Sequence, residues 1–157
     1  MNAPLRIYIA APYCDAKRVR ELHARIRGTE IECCSGWADG AFGPERLDEE
    51  AARLALLAND INLASADLVL VIARYAVGGE MFAEARAAWD AGKMIVWCGE
   101  RQTLGAFRRG VVRCAGMSHE ASIDIAISVL RVLSTWPAAD RAGVFATFQN
   151  PQLKAAS

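Results

Sequence analysis

The residues best placed to do chemistry lie around Gly78-Gly79-Glu80-Met81-Phe82-Ala83-Glu84. Two adjacent glycines let the backbone pass close to a ligand. A helix amino terminus following them offers free N–H groups and favours negative charge. Glu80 and Glu84 stand one helical turn apart and share a face. Such carboxylates can stabilise a positive centre or attack it. A tight turn followed by first-turn glutamates that suit the helix dipole is the alternative reading. The segment carries neither GxGxxG nor GxxxxGK[ST]. Asn59-Asp60-Ile61-Asn62 places three polar groups in an otherwise apolar helix, so Asp60 is either solvent-facing or an acid directed over a sheet edge. In Ile7-Tyr8-Ile9-Ala10-Ala11-Pro12, the small residues Ala10 and Ala11 leave room for a ligand beside Pro12. Tyr8 points either into that space or into the core. Trp37 is suited to stacking on a planar base or to packing on the core from a loop.

Other chemistries are excluded or disfavoured. Two histidines, His23 and His119, are too few and too separated for a metal site, so no metal is expected. Five cysteines stand at 14, 33, 34, 98 and 114 without CxxC spacing, which reads as reduced thiols in a cytoplasm. Cys33 and Cys34 lack a neighbouring histidine and read as buried apolar residues. Eighteen basic residues balance eighteen acidic ones, so no basic excess exists to hold a nucleic-acid polymer. Zero net charge also removes a barrier to self-association. The longest apolar run, residues 68–73, falls far short of the roughly 20 residues that cross a membrane. Residues 1–12 read as a strand rather than a signal peptide.

These groups need a scaffold. In 157 residues with 54% hydrophobic content, one domain with a sizeable core is expected. Apolar runs at 5–11, 31–34, 68–73, 94–98 and 111–114 read as strands, the third apolar on both faces as in a central parallel strand. Helical patterns fill the gaps. The first spans 15–27, with Asp15 as its cap and Val19, Leu22 and Ile26 on one face. The second, 45–66, carries Leu54, Leu57, Ala58, Ile61 and Ala64 at spacings of 3 and 4. The third, 80–91, carries Phe82, Ala85 and Trp89. The fourth, 119–134, carries Ile123, Ala126, Ile127, Leu130 and Leu133. Asp67 suits the junction between the second helix and the third strand. The order implies a three-layer α/β fold, a doubly wound (flavodoxin- or Rossmann-like) five-stranded parallel sheet over residues 1–136. Residues 137–157 are Ala-rich and weakly periodic, and read as a C-terminal tail or arm. Ligands on such sheets sit past the strands' carboxyl ends. The loops at 10–15, 35–44, 74–79 and 99–103 are therefore the ones to watch. The pair Arg108 and Arg109 reads as solvated surface.

Four motifs together resemble the nucleoside 2-deoxyribosyltransferases and the related deoxynucleotide N-glycosidases. Ile7-Tyr8-Ile9-Ala10-Ala11-Pro12 looks like the family's opening strand I-Y-h-A-G-P. Asn59-Asp60-Ile61-Asn62 followed by Ala66-Asp67-Leu68-Val69 looks like its N-D-I…A-D-h-h block. Glu84-Ala85-Arg86-Ala87-Ala88-Trp89-Asp90-Ala91-Gly92-Lys93 looks like its E-h-G-x-A-h-x-x-G-K, and residues 94–97 like the strand after it. The resemblance covers about residues 5–99.

It implies cleavage or exchange of the N-glycosidic bond of a 2'-deoxynucleoside or deoxynucleotide without a cofactor. Glu84 would be the nucleophile, forming a deoxyribosyl-enzyme ester. Asp60 would handle the base or sugar hydroxyls, and Tyr8 would hold the nucleophile. Ala11, Pro12, Trp37, Gly78 and Gly79 would line the substrate site. The partner would be a small-molecule nucleoside or nucleotide, not a nucleic-acid polymer or a membrane, and a homo-oligomer is expected. The nucleophile must be ionised, and a helix amino terminus would lower its pKa. Two positions depart from the family: Arg86 replaces a glycine, and Gly78 replaces an aspartate six residues before the nucleophile. Glu80 is thereby a rival nucleophile. The first loop lacks a serine- and glycine-rich phosphate grip, which favours a nucleoside, with Arg74, Lys17 and Arg18 as candidate phosphate holders. A non-catalytic nucleoside- or nucleotide-binding module on the same fold is the alternative function.

Overall fold

The computed structural model describes residues 3–28, 30–39, 48–73, 79–99 and 111–149. Five strands form one sheet: β1 (Leu5–Ala10), β2 (Ile31–Cys33), β3 (Leu68–Ala73), β4 (Met94–Gly99) and β5 (Val111–Cys114). They lie in the order β2-β1-β3-β4-β5, and every pairing is parallel. Among the described residues five α-helices connect or cover them: α1 (Ala16–Ile26), α2 (Glu49–Ser65), α3 (Gly79–Asp90), α4 (His119–Ser134) and α5 (Ala138–Gln149).

Alternation along the strands sorts side chains between two apolar layers. Ile7, Ile9, Leu68, Leu70 and Val96 face α1, α4 and α5. Tyr8, Ala10, Val69, Val71, Ile95 and Trp97 face α2 and α3. Helices therefore cover both faces, which explains why β3 is buried along its whole length. This is a three-layer, flavodoxin-like α/β fold, as the alternating pattern implies.

Local chemistry sets several junctions. Asp48 caps α2 by accepting from the Ala51 N–H at 2.8 Å, and Ser118 caps α4 by accepting from the Ala121 N–H at 3.1 Å. Asp15 caps nothing with its side chain, contrary to expectation, because residues Tyr13–Asp15 already form a 3-10 turn leading into α1. Asp67 ties the start of β3 to β1, its carboxylate accepting from the Arg6 N–H at 2.8 Å. Gly92 ends the α3 segment with φ 82°, a conformation that favours glycine. Gly99 closes β4 where a Cβ would lie 2.3 Å from the Ala73 carbonyl oxygen.

Two expectations need correction. The stretch after residue 136 is no loose arm over residues 138–149: it forms α5, whose Phe145 joins the core. Arg141 is buried and donates from Nη2 to the Ala3 carbonyl at 2.8 Å, fastening this helix beside β1. The second correction concerns α2. Of its regular apolar stripe, Leu54, Leu57, Ile61 and Ala64 are exposed and face outward, Ala58 is exposed at the edge of that stripe, and Leu63 is its only buried residue.

Candidate functional site

Tyr8 is fully buried, on the β1 face that looks towards α2 and α3. A buried phenol needs a partner for its hydroxyl. It donates to Glu84 Oε1 at 2.6 Å. Glu84 reaches it because α3 lays Met81, Ala85 and Ala88 on the sheet, bringing the adjoining position 84 over the end of β1.

The pair borders a cavity of about 680 Å³. Its floor and walls come from Ala11, Pro12 and Tyr13 after β1, from Gly36 and Trp37 after β2, and from Gly79, Glu80, Met81 and Glu84 of α3. The remaining wall is α2, which presents only small, apolar or carboxamide groups there: Ala51, Ala52, Ala55, Leu56, Ala58, Asn59 and Asn62. The cavity lies past the carboxyl ends of β1 and β2, beside the β1–β3 boundary. In the order β2-β1-β3-β4-β5 the chain changes direction across the sheet there, where such folds bind ligands.

Most expected site residues converge here. Ala11, Pro12, Trp37, Gly79, Glu80 and Glu84 line the cavity, and Tyr8 lies directly behind Glu84. A Cβ added at Gly79 would meet nothing within 4 Å, so packing within the described chain does not demand glycine there. Gly78 and Arg74 lie outside the described residues, as do Arg108, Arg109 and the loop at 100–103. Asp60 does not line the cavity. It is exposed, and reaches the site only through its charge, which helps raise the pKa of both Tyr8 and Glu84. Its neighbours Asn59 and Asn62 supply the polar groups on that wall. The polar cluster was visible in the sequence, but helix rotation decides which member faces inward.

Trp37 is held rigidly, its indole N–H donating to the Ile9 carbonyl at 2.9 Å. Tyr13, not singled out from the sequence, also lines the cavity, its ring 6.0 Å from that of Trp37 and inclined by 41°. Together they make an aromatic corner beside Pro12. Cys34 donates to the Ile7 carbonyl at 3.1 Å, and burial pushes its thiol pKa up. Burial likewise pushes Cys33 up to about 11. Neither thiol is poised as a nucleophile. His23 and Ser35 form a buried pair at 2.9 Å. Among the described residues, no cluster of three or more His, Cys, Asp or Glu could hold a metal ion, and no helix is long and apolar enough to cross a membrane.

The electrostatics of Glu84 differ from expectation. Its pKa is raised to about 7 rather than lowered. Burial is the main cause, opposed by the Tyr8 hydrogen bond and reinforced by the negative charges of Glu80 and Asp60. The helix dipole does not reverse this, since its influence fades within the first turn and Glu84 lies one turn beyond Glu80. A carboxyl half-ionised near neutral pH can donate or accept a proton, or attack once ionised. Arg86, which stands where the resemblance calls for glycine, is exposed and does not line the cavity. Its guanidinium binds the Asp90 carboxylate at 3.0 Å and lies over the Trp89 ring at 5.0 Å.

Fold and cavity thus define the class: a flavodoxin-like α/β protein with a tyrosine-held carboxyl in a cavity at the sheet's switch point. No family model and no curated protein matches the chain. A solved structure similar to it is that of a conserved protein from Enterococcus faecalis V583, 17% identical, with a TM-score of 0.56 over 81% of this chain and 99% of that one. At that identity the likeness concerns the fold.

Proposed function

We propose that the protein cleaves or exchanges the N-glycosidic bond of a 2'-deoxynucleoside or deoxynucleotide, with Glu84 as nucleophile. The Tyr8–Glu84 hydrogen bond of 2.6 Å at the cavity wall carries this reading. The phenol fixes one carboxylate oxygen and leaves the other to face C1' of a bound sugar. Positioning of this kind supplies much of the advantage of an intramolecular reaction. In the first step a Glu84 oxygen bonds to C1' while the C1'–N bond breaks through an oxocarbenium-like state. The base departs with the bonding pair and takes a proton from solvent. In the second step water, or an acceptor base, attacks C1' and releases the carboxylate. Trp37 and Tyr13 would hold the planar base, and Asn59 and Asn62 offer donors and acceptors to its edge. Glu80, one turn away on the same wall, keeps negative charge near the developing cation. Of the two departures from the family pattern, Arg86 does not obstruct this chemistry, because it lies outside the cavity.

Attack requires ionised Glu84, so kcat/KM should rise with pH through about 7. A chromatographic screen of deoxynucleosides and deoxynucleotides, with and without acceptor base, tests the reading. Free base without acceptor means hydrolysis, and exchanged base means transfer. Glu84→Ala should reduce either by roughly 10⁴ or more, and a quenched wild-type digest should hold a deoxyribosyl adduct on the peptide carrying Glu84. Unchanged turnover in Glu84→Ala would refute the assignment. Binding without turnover would leave the non-catalytic module in its place.

A further inference from the structure

Cys98 and Cys114 are Cα partners in the parallel β4–β5 pairing. Neighbouring strands run about 4.8 Å apart, inside the roughly 4.4–6.8 Å between Cα atoms that a disulfide spans. Strand alternation puts both side chains on the same face of the sheet, in the layer shared with α1, α4 and α5. Their thiols share a hydrogen bond. Cys33 and Cys34, although adjacent in sequence, pack into opposite layers. Cys98 and Cys114 are both free and buried. The strand carrying Cys114 is nonetheless an edge strand of four residues, and residues 115–118 after it are all exposed. Local opening at such an end exposes Cys114 while the central strands stay closed.

We propose that this pair is a modification site, at which Cys98 and Cys114 form a reversible disulfide across β4 and β5 when the chain meets a peroxide. The hydrogen bond with Cys98 holds the Cys114 thiol below its ordinary pKa, against the opposing effect of burial. The same bond, together with burial, pushes the Cys98 thiol up. Cys114 is therefore the sulfur that ionises first and attacks. Its thiolate bonds to one oxygen of hydrogen peroxide, the O–O bond breaks, and the other oxygen leaves as hydroxide, which takes up the proton that Cys114 released. A sulfenic acid now stands on Cys114. The Cys98 sulfur attacks Cys114 Sγ, the S–O bond breaks, and the hydroxyl departs as water with the Cys98 proton. Two thiols are oxidised to one disulfide, and the peroxide is reduced to two waters. A thiol reductant reverses the bridge by exchange. The bridge fastens the edge strand to its neighbour. Tyr8, with Glu84 bonded to it, lies on the other face of the sheet, so this site is separate from the reaction proposed for the cavity.

Treatment of the full chain with hydrogen peroxide, blocking of the remaining thiols with N-ethylmaleimide in denaturant, and peptide mass mapping test the proposal. Once the exposed Cys14 has been oxidised throughout, the wild type should yield the peptides carrying Cys98 and Cys114 as one linked species, lighter by two hydrogens. Dithiothreitol should separate them. The bridged chain should melt roughly 5–10 °C above the reduced one, because the closed loop restricts the unfolded state. Cys98→Ser and Cys114→Ser should each lose both the link and the shift. The wild-type map decides the matter even if either variant fails to fold. Recovery of both thiols as maleimide adducts after that exposure overturns the proposal. So does a link from either of them to Cys14, Cys33 or Cys34.

Discussion

Helices α2 and α4 carry the same signal and use it oppositely. Each has apolar side chains at spacings of 3 and 4. In α4 that stripe is Ile123, Ala126, Ile127, Leu130 and Leu133, all buried against the sheet with β4 and β5 beneath. In α2 Leu54, Leu57 and Ile61 are turned to the outside, and the wall it gives the cavity is mostly alanines and asparagines, with Leu56 beside them and Leu63 buried on the sheet. Large side chains under α4 fill the gap between helix and sheet. Small ones under α2 leave it open, and the opening is the cavity. Hydrophobic periodicity thus marks the core in one helix and a surface in the other.

The contrast can be broken by mutation. Leu130→Ala removes a fully buried side chain and should lower stability by about 2–5 kcal/mol in a denaturant titration. A loss below roughly 1 kcal/mol would mean that α4 is not the anchored helix. Next in size is the effect of Glu84, the charge kept beside the open space. Its folded pKa of about 7 exceeds the ordinary 4.5, so the folded chain holds an extra proton between those values. The stability this contributes is complete below pH 4.5 and lost as pH rises through 7. Glu84→Gln should therefore be more stable than wild type at pH 8, by roughly 1–3 kcal/mol, with the advantage vanishing in acid. Equal melting temperatures at pH 8 would show that the carboxyl bears no burial penalty. The smallest effect is expected at Leu57→Ala, within about 0.5 kcal/mol for the dilute single chain. If it destabilises as Leu130→Ala does, the two helices are not opposites after all.

The layered scaffold was legible because each strand is an unbroken apolar run and each crossover has a helical period. Tyr8 and Glu84 were legible together because the order of short motifs, rather than any one of them, suggested their meeting. Three features were not. Residues 138–149 show weak periodicity because, among the described side chains there, Arg141 and Phe145 are the buried ones, four residues apart and one of them charged. The orientation of α2 was hidden because a stripe at helical spacing reads alike whether a sheet covers it or it faces outward. The pKa of Glu84 went the other way from expectation because burial acts through the whole surrounding volume, which no spacing along the chain reveals.

The bond from Arg141 to the Ala3 carbonyl joins positions 138 residues apart. A ribosome must have made every residue from Ala3 to Arg141 before that latch can close. Until α5 emerges, the Ala3 carbonyl just ahead of β1 waits without that partner. Removing residues from 138 onward would strip Phe145 from the core and leave the Ala3 carbonyl without its guanidinium. What looks in sequence like a dispensable appendage is a late-arriving fastening.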